Sequence, residues 1–218
     1  MSSALVPAFD RFPKEAAIIG RLLAGYAELE FTFGLCAERA VRKVQHPGYP
    51  NAVEHKADNR HVALKALYRL RSESGRLQVA DALARSEYTH IGLEAPYADA
   101  IGAIRHCLKI RNQFAHCHWG IDRVTLGLIF TDLEENAQGA SDFTFESTWR
   151  SIDLTLLRDH ETYFEYTMKC LEFIHAEFRV RAKMVNPAIV RIQPQKIPAP
   201  PLHNPPGGQE SPEQDPSP

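Results

Sequence analysis

Apolar residues recur with a helical period over most of the first 118 positions. Ile18, Leu22, Leu29, Phe33, Cys36, Ala40 and Val44 stand three, four or seven apart, which predicts a helix over about 14–45. Pro47 and Pro50 cannot continue it. Val62, Leu64, Leu67 and Leu70 mark the apolar side of a second helix, about 52–72. Ser74-Gly75 breaks the chain before a third helix, about 76–90, with Leu77, Val79, Leu83 and Ala84 inward. A fourth starts after Pro96 and runs to about 117 on Ile101, Ile104, Leu108 and Phe114.

The period then falls to two. Val124, Leu126, Leu128 and Phe130 alternate with polar or small residues, and so do Phe143, Phe145 and Trp149. Asn136 and Gly139 lie in the loop between these runs. The pattern predicts one antiparallel hairpin over about 122–151. A last helix, about 153–184, carries Leu157, Tyr163, Phe164, Met168, Leu171, Ile174 and Phe178. The expected fold class is all-α: an antiparallel bundle of about five helices with one inserted β-hairpin. The helical domain spans 1–186. Ten of the fifteen prolines lie in 187–218, with few apolar residues, which predicts a disordered Pro-rich tail.

Composition narrows the classes without choosing a function. At 218 residues, 44% apolar, 24% charged and net charge −2, the chain is neither a disordered polymer nor a strongly basic nucleic-acid binder. No apolar run approaches the ~20 residues of a membrane span. The start, MSSALVPAFDRFPKEAA, lacks the basic and apolar regions of a secretory signal. Cys36, Cys107, Cys117 and Cys170 are widely spaced and form no CxxC. Reduced thiols and a cytoplasmic location are the expectation.

Charge is uneven along the chain. Residues 39–76 hold nine Lys/Arg against three Asp/Glu, while 130–165 hold two Arg against nine Asp/Glu. A basic surface can attract phosphates even on a slightly acidic protein. Equally, the acidic segment can pair with the basic helices inside one fold.

The informative segment is Lys109-Ile-Arg111-Asn112-Gln-Phe-Ala-His116. An Arg with Asn directly after it precedes a His by four intervening residues. The bare spacing is unspecific: Arg39 to His46, Arg85 to His90 and Arg111 to His118 also satisfy an Arg, four to six residues, His pattern. Context separates Arg111 and His116, through Asn112 and through the absence of a nearby carboxylate in sequence.

This run resembles the signature of HEPN domains, closely over 105–119 and loosely, through helical layout, over 14–184. The resemblance implies a helical bundle that pairs as a homodimer, placing two motifs face to face. It also implies a metal-independent ribonuclease or RNA-directed effector of toxin or antiphage-defence type, needing no cofactor. A cognate antitoxin, or another protein bound through the tail, is an expected partner.

The chemistry suits these residue types. A His near neutral pKa can take the proton of an RNA 2′-hydroxyl or protonate the departing 5′-oxygen. An Arg can hold the phosphate and stabilise charge growing on its oxygens. In this reading His116 is the acid/base, Arg111 the phosphate stabiliser and Asn112 the positioner. Lys109, Arg105, His118 and Glu30 furnish the surroundings. Five residues apart on a helix is about 140° around the axis, so Arg111 and His116 converge only if the helix bends or ends near 115, or if reach and a dimer partner close the gap. The bland reading has Arg111 and Asn112 bridging to neighbouring helices through Glu28 or Glu30. The corresponding alternative function is a non-catalytic helical dimerisation or interaction module. His106-Cys107 and His116-Cys117-His118 lack the ligand spacing of a zinc site, so no metal is expected.

Overall fold

The computed structural model describes residues 5–45, 61–132, 149–185 and 192–205. In chain order these form α1 (Pro7–Arg11), α2 (Pro13–Gln45), α3 (Val62–Leu67), α4 (Glu73–His90), α5 (Glu94–Ala115), β1 (Cys117–Ile121), β2 (Leu128–Asp132), β3 (Arg150–Ser151) and α6 (Leu154–Arg181). The fold is the expected helical bundle with a small antiparallel sheet. Central α2 packs against α3, α4, α5 and α6, and α5 lies between α4 and α6.

The apolar stripe of α2 is the one the periodicity marks: Ile18, Leu22, Leu29, Phe33, Cys36 and Ala40 are all buried. So are Ile101, Ile104, Leu108 and Phe114 on α5. On α4 the buried positions are Leu77, Ala80, Asp81, Ala84 and Tyr88, while Val79 and Leu83 face outward. The inward stripe therefore follows the three-and-four spacing from Leu77. Tyr88 sits between Tyr97 and Phe178, its ring centroid 4.7 and 4.6 Å from theirs.

Two helix starts differ from expectation. Ser74-Gly75 is no break but part of the first turn of α4, because the Ser72 hydroxyl caps it by accepting from the Gly75 N–H. Of the second helix, only Val62–Leu67 is helical among the described residues, and 46–60 lie outside them. Buried Glu38 of α2 holds the start of α3, accepting from the Ala63 N–H at 2.8 Å and pairing with Arg42 at 2.8 Å. Between α4 and α5 the chain turns at Gly92, whose φ of 74° is the left-handed conformation that glycine adopts without strain. Arg181, the last residue of α6, closes this turn by donating to the Gly92 carbonyl at 2.8 Å.

The sheet order is β1-β2-β3, all antiparallel, with Trp119 opposite Phe130 and Phe130 opposite Arg150. The pairing of β2 with β3 is the expected one, although 133–148, including Phe143 and Phe145, lie outside the described residues. The start of the sheet is a correction. The chain enters β1 at Cys117, and Val124 and Leu126 are exposed residues of the β1–β2 turn rather than strand. Asp122 shapes that turn, accepting from the Val124 and Thr125 N–H groups. Gly120 passes directly beneath the Trp149 ring, where a Cβ would lie 3.1 Å from its carbons.

The expected disordered tail needs a second correction. Residues 192–205 run along α5 and α6 as a strap without helix or strand. Ile197 and Leu202 pack against the core. His106 Nε2 lies 3.0 Å from the Pro200 carbonyl oxygen, His160 Nε2 lies 2.8 Å from that of Pro201, and Gln113 donates to that of Leu202 at 2.9 Å. Residues 186–191 and 206–218 lie outside the description. Composition misses the strap because the donors to Pro200, Pro201 and Leu202 belong to the helices.

Carbonyls only accept, so both imidazoles carry the proton on Nε2. Burial lowers the pKa of each below its ordinary value. Lys109 adds to this at His106, and His106 adds to it at His160; the carbonyl bonds, and Asp159 beside His160, oppose it. The rings of Tyr163 and Phe114, facing His106 and His160 respectively, bring no charge. A depressed folded-state pKa means that the unfolded chain binds protons first as pH falls. The stabilisation is thus full above about pH 6.5 and declines as pH drops through the lowered folded values. Thermal melts at about pH 7.5 and about pH 5 are expected to show a larger loss for the wild type than for His160→Gln, which has one titrating group fewer. Equal losses would remove the histidines from the account.

Candidate functional site at the C-terminal end of α5

Helix α5 stops at Ala115, so His116 occupies the cap position with φ −116° and ψ 12°. The stop has a cause. Trp119, three residues further on, is fixed among Phe9, Phe114 and Phe130 at centroid distances of 5.2, 5.8 and 5.3 Å, which turns the chain into β1. The His116 N–H closes the last helical turn on the Asn112 carbonyl at 3.2 Å. Four residues apart, Asn112 and His116 share one side of the helix end, and both are exposed. His118 is also exposed, on β1, its ring centroid 5.9 Å from that of Trp149.

Arg111 is engaged within the fold. Its Nη1 donates to Glu73 Oε2 at 2.8 Å and to the Asn112 side-chain oxygen at 3.1 Å. The missing neighbour in sequence is therefore supplied in space, by the first turn of α4. Glu73 also lies 3.8 Å from Arg76 Nη2, and Arg76 Nε donates to Glu30 at 2.7 Å. Glu30, Arg76, Glu73 and Arg111 form a row of alternating charges from α2 across α4 to α5. Glu30 is buried, and Arg76 is itself only 15% exposed in its side chain. Glu30 thus reaches Arg111 through two intermediaries rather than by direct contact.

The other supporting residues lie elsewhere. Arg105 donates to Asp81 at 2.9 Å, in a group that also receives Arg85 and the Tyr97 hydroxyl. It sits six residues before Arg111, about 9 Å along the helix. Lys109 is exposed, about 200° around the axis from Arg111 and on the side of His106. The structure brings Arg111, Asn112 and His116 to one end of α5, with His118 just beyond, and leaves Arg105 and Lys109 outside this group.

Glu73 and Arg76 are the residues that sequence reasoning missed. Their signal was the Ser72 cap, since an acidic residue in a helix's first turn is favoured by its dipole. Of the nine basic residues in 39–76, Arg42 and Arg76 meet the carboxylates of Glu38 and Glu30 on α2. The 130–165 segment supplies Glu161 to Arg21.

Among the described residues, no three His, Cys, Asp or Glu side chains gather as a metal site. The Cys117 thiol donates to the Phe114 carbonyl, and burial pushes its pKa up to about 12. All four cysteines are free. No described helix is long and apolar enough to cross a membrane. The chain matches no family model, no curated protein and no solved structure.

The coupling of Arg111 to Glu73 is measurable. A double-mutant cycle of Arg111→Ala and Glu73→Ala is expected to give an interaction energy of about 0.5–1 kcal/mol, since both groups are partly screened by water. Additive losses in chemical denaturation would mean that the pair carries no stability.

Proposed function

We propose that this chain is a metal-independent endoribonuclease, an RNA-directed effector of toxin or antiphage-defence type that works as a homodimer. The observation that carries the reading is the joint exposure of Asn112 and His116 at the end of α5, directly after an Arg111 already oriented by Glu73. His116 closes the last turn on Asn112 and so stands about 140° around the axis from Arg111; the reach of the two side chains and the second copy close that gap. His116 acts as the acid or base at the 2′-hydroxyl or 5′-oxygen. Arg111 stabilises the phosphate through Nε and Nη2, which have no partner among the described residues. Asn112 positions the guanidinium through its side-chain oxygen. A second copy supplies the complementary acid or base. The expected setting is the cytoplasm, and the protein partner an antitoxin or similar regulator.

One observation favours a second reading, a non-catalytic dimerisation or interaction module. Arg111 is held by two acceptors of its own chain, as a structural arginine would be. Cleavage of a mixed RNA pool in EDTA separates the two. Wild type is expected to leave 2′,3′-cyclic phosphate ends, and His116→Ala to lose at least about a hundredfold in rate. Equal behaviour of the two proteins, both folded and dimeric, would establish the scaffold.

A further inference from the structure

The strap is held the way a bound peptide is held. Three side chains from two helices reach three successive residues: His106 to Pro200, His160 to Pro201 and Gln113 to Leu202. Each contact joins a side-chain N–H to a backbone carbonyl, so the groove reads main chain. Ile197 and Leu202 supply the anchors. Pro198, Pro200 and Pro201 fix their own φ near −65° and confine the residue before each to extended conformations. A segment so restricted loses little entropy on docking.

The fit is incomplete in two respects. Gln113 Oε1 and His160 Nδ1 are buried without a partner among the described residues. Pro200 and Pro201, lacking an N–H, offer them no donor. Upstream, a cleft lined by Asp99, Tyr166, Cys170, Gln193 and Lys196 opens between strap and helices. There the Lys196–Asp99 ion pair is exposed, and such pairs contribute little.

We propose that the groove between α5 and α6 is a recognition site for an extended proline-rich peptide. Residues 197–204 are its built-in ligand, which leaves and returns while the bundle stays folded. The proposal holds whether or not the end of α5 acts on RNA. In the intact chain the tethered strap competes at high effective concentration, so the groove is closed to outside peptides. Detaching the strap opens it.

The test uses the full chain carrying Ile197→Asp and Leu202→Asp, with a fluorescein-labelled peptide of residues 195–205 read by polarisation. The variant is expected to bind the peptide, the wild type at least about tenfold more weakly. Adding Gln113→Ala is expected to weaken binding about fivefold, the loss of one neutral hydrogen bond. A variant with wild-type circular dichroism that binds nothing at about 1 mM peptide would overturn the proposal, as would equal binding by both proteins. Hydrogen exchange on the unaltered chain gives an independent reading, free of any folding defect in the variant. The amide of Asn204, which donates to the Ser151 carbonyl at 3.0 Å, is expected to exchange at least about a hundredfold faster than those of Ile104 and Leu171. Exchange at the core rate would mean that the strap leaves only on global unfolding, and the proposal would fall.

Discussion

The burial of α5 between α4 and α6 constrains the rest of this molecule. Ile104, Cys107 and Ile110 have no exposure at all, so the helix is gripped along its middle. Its polar residues are confined to the margins of that contact and to its C-terminal end. Each margin has its own occupant. Arg105 faces α4 and Asp81, Arg111 faces the start of α4, and His106 and Gln113 face the strap. The same helix thus serves as core, as one wall of a peptide groove and as the carrier of the Arg–Asn–His run. A shift of α4 or α6 would disturb more than one of these.

The row Glu30, Arg76, Glu73, Arg111 shows how charge is accommodated under that constraint. A buried carboxylate such as Glu30 is costly unless paired, and Arg76 pairs it while also donating to the Leu70 carbonyl. The pairing passes outward along α4 until it reaches Arg111 near the surface. Arg111 therefore reaches the end of α5 already oriented, which a flexible surface arginine would not be. Orientation of this kind suits a phosphate-stabilising group, and it equally suits a structural bridge between α4 and α5. Either role rests on the same contact, Arg111 Nη1 to Glu73 Oε2.

Much of the fold was legible in the sequence because a helix that must bury one face advertises it every three or four residues. The ranges of α2 and α6, and the body of α5, follow directly from that pattern. Errors fall where local and tertiary signals diverge. Cys117, Trp119 and Ile121 alternate with His118 and Gly120, the period of a strand, yet the run directly continues a strong helix. Only the clamp of Phe9, Phe114 and Phe130 on Trp119 makes the helix give way there. In the Pro-rich segment, composition counts apolar residues within the segment alone. It does not count the restraint that prolines already place on the unfolded chain, nor donors waiting on α5 and α6.

By itself the sequence determined the helical class, the central helices, the hairpin's existence and the position of the Arg111–Asn112–His116 run. These depend on periodicity and on residue chemistry, which are local properties. Tertiary structure alone decided that Glu73 meets Arg111, that α5 ends one residue before His116, and that 192–205 lies against the bundle. Each of these joins parts of the chain far apart in sequence. Glu73 and Arg111 come from different helices, and His160 and Pro201 are 41 positions apart. No window along the chain holds both partners, so the contact exists only once packing has brought the helices together.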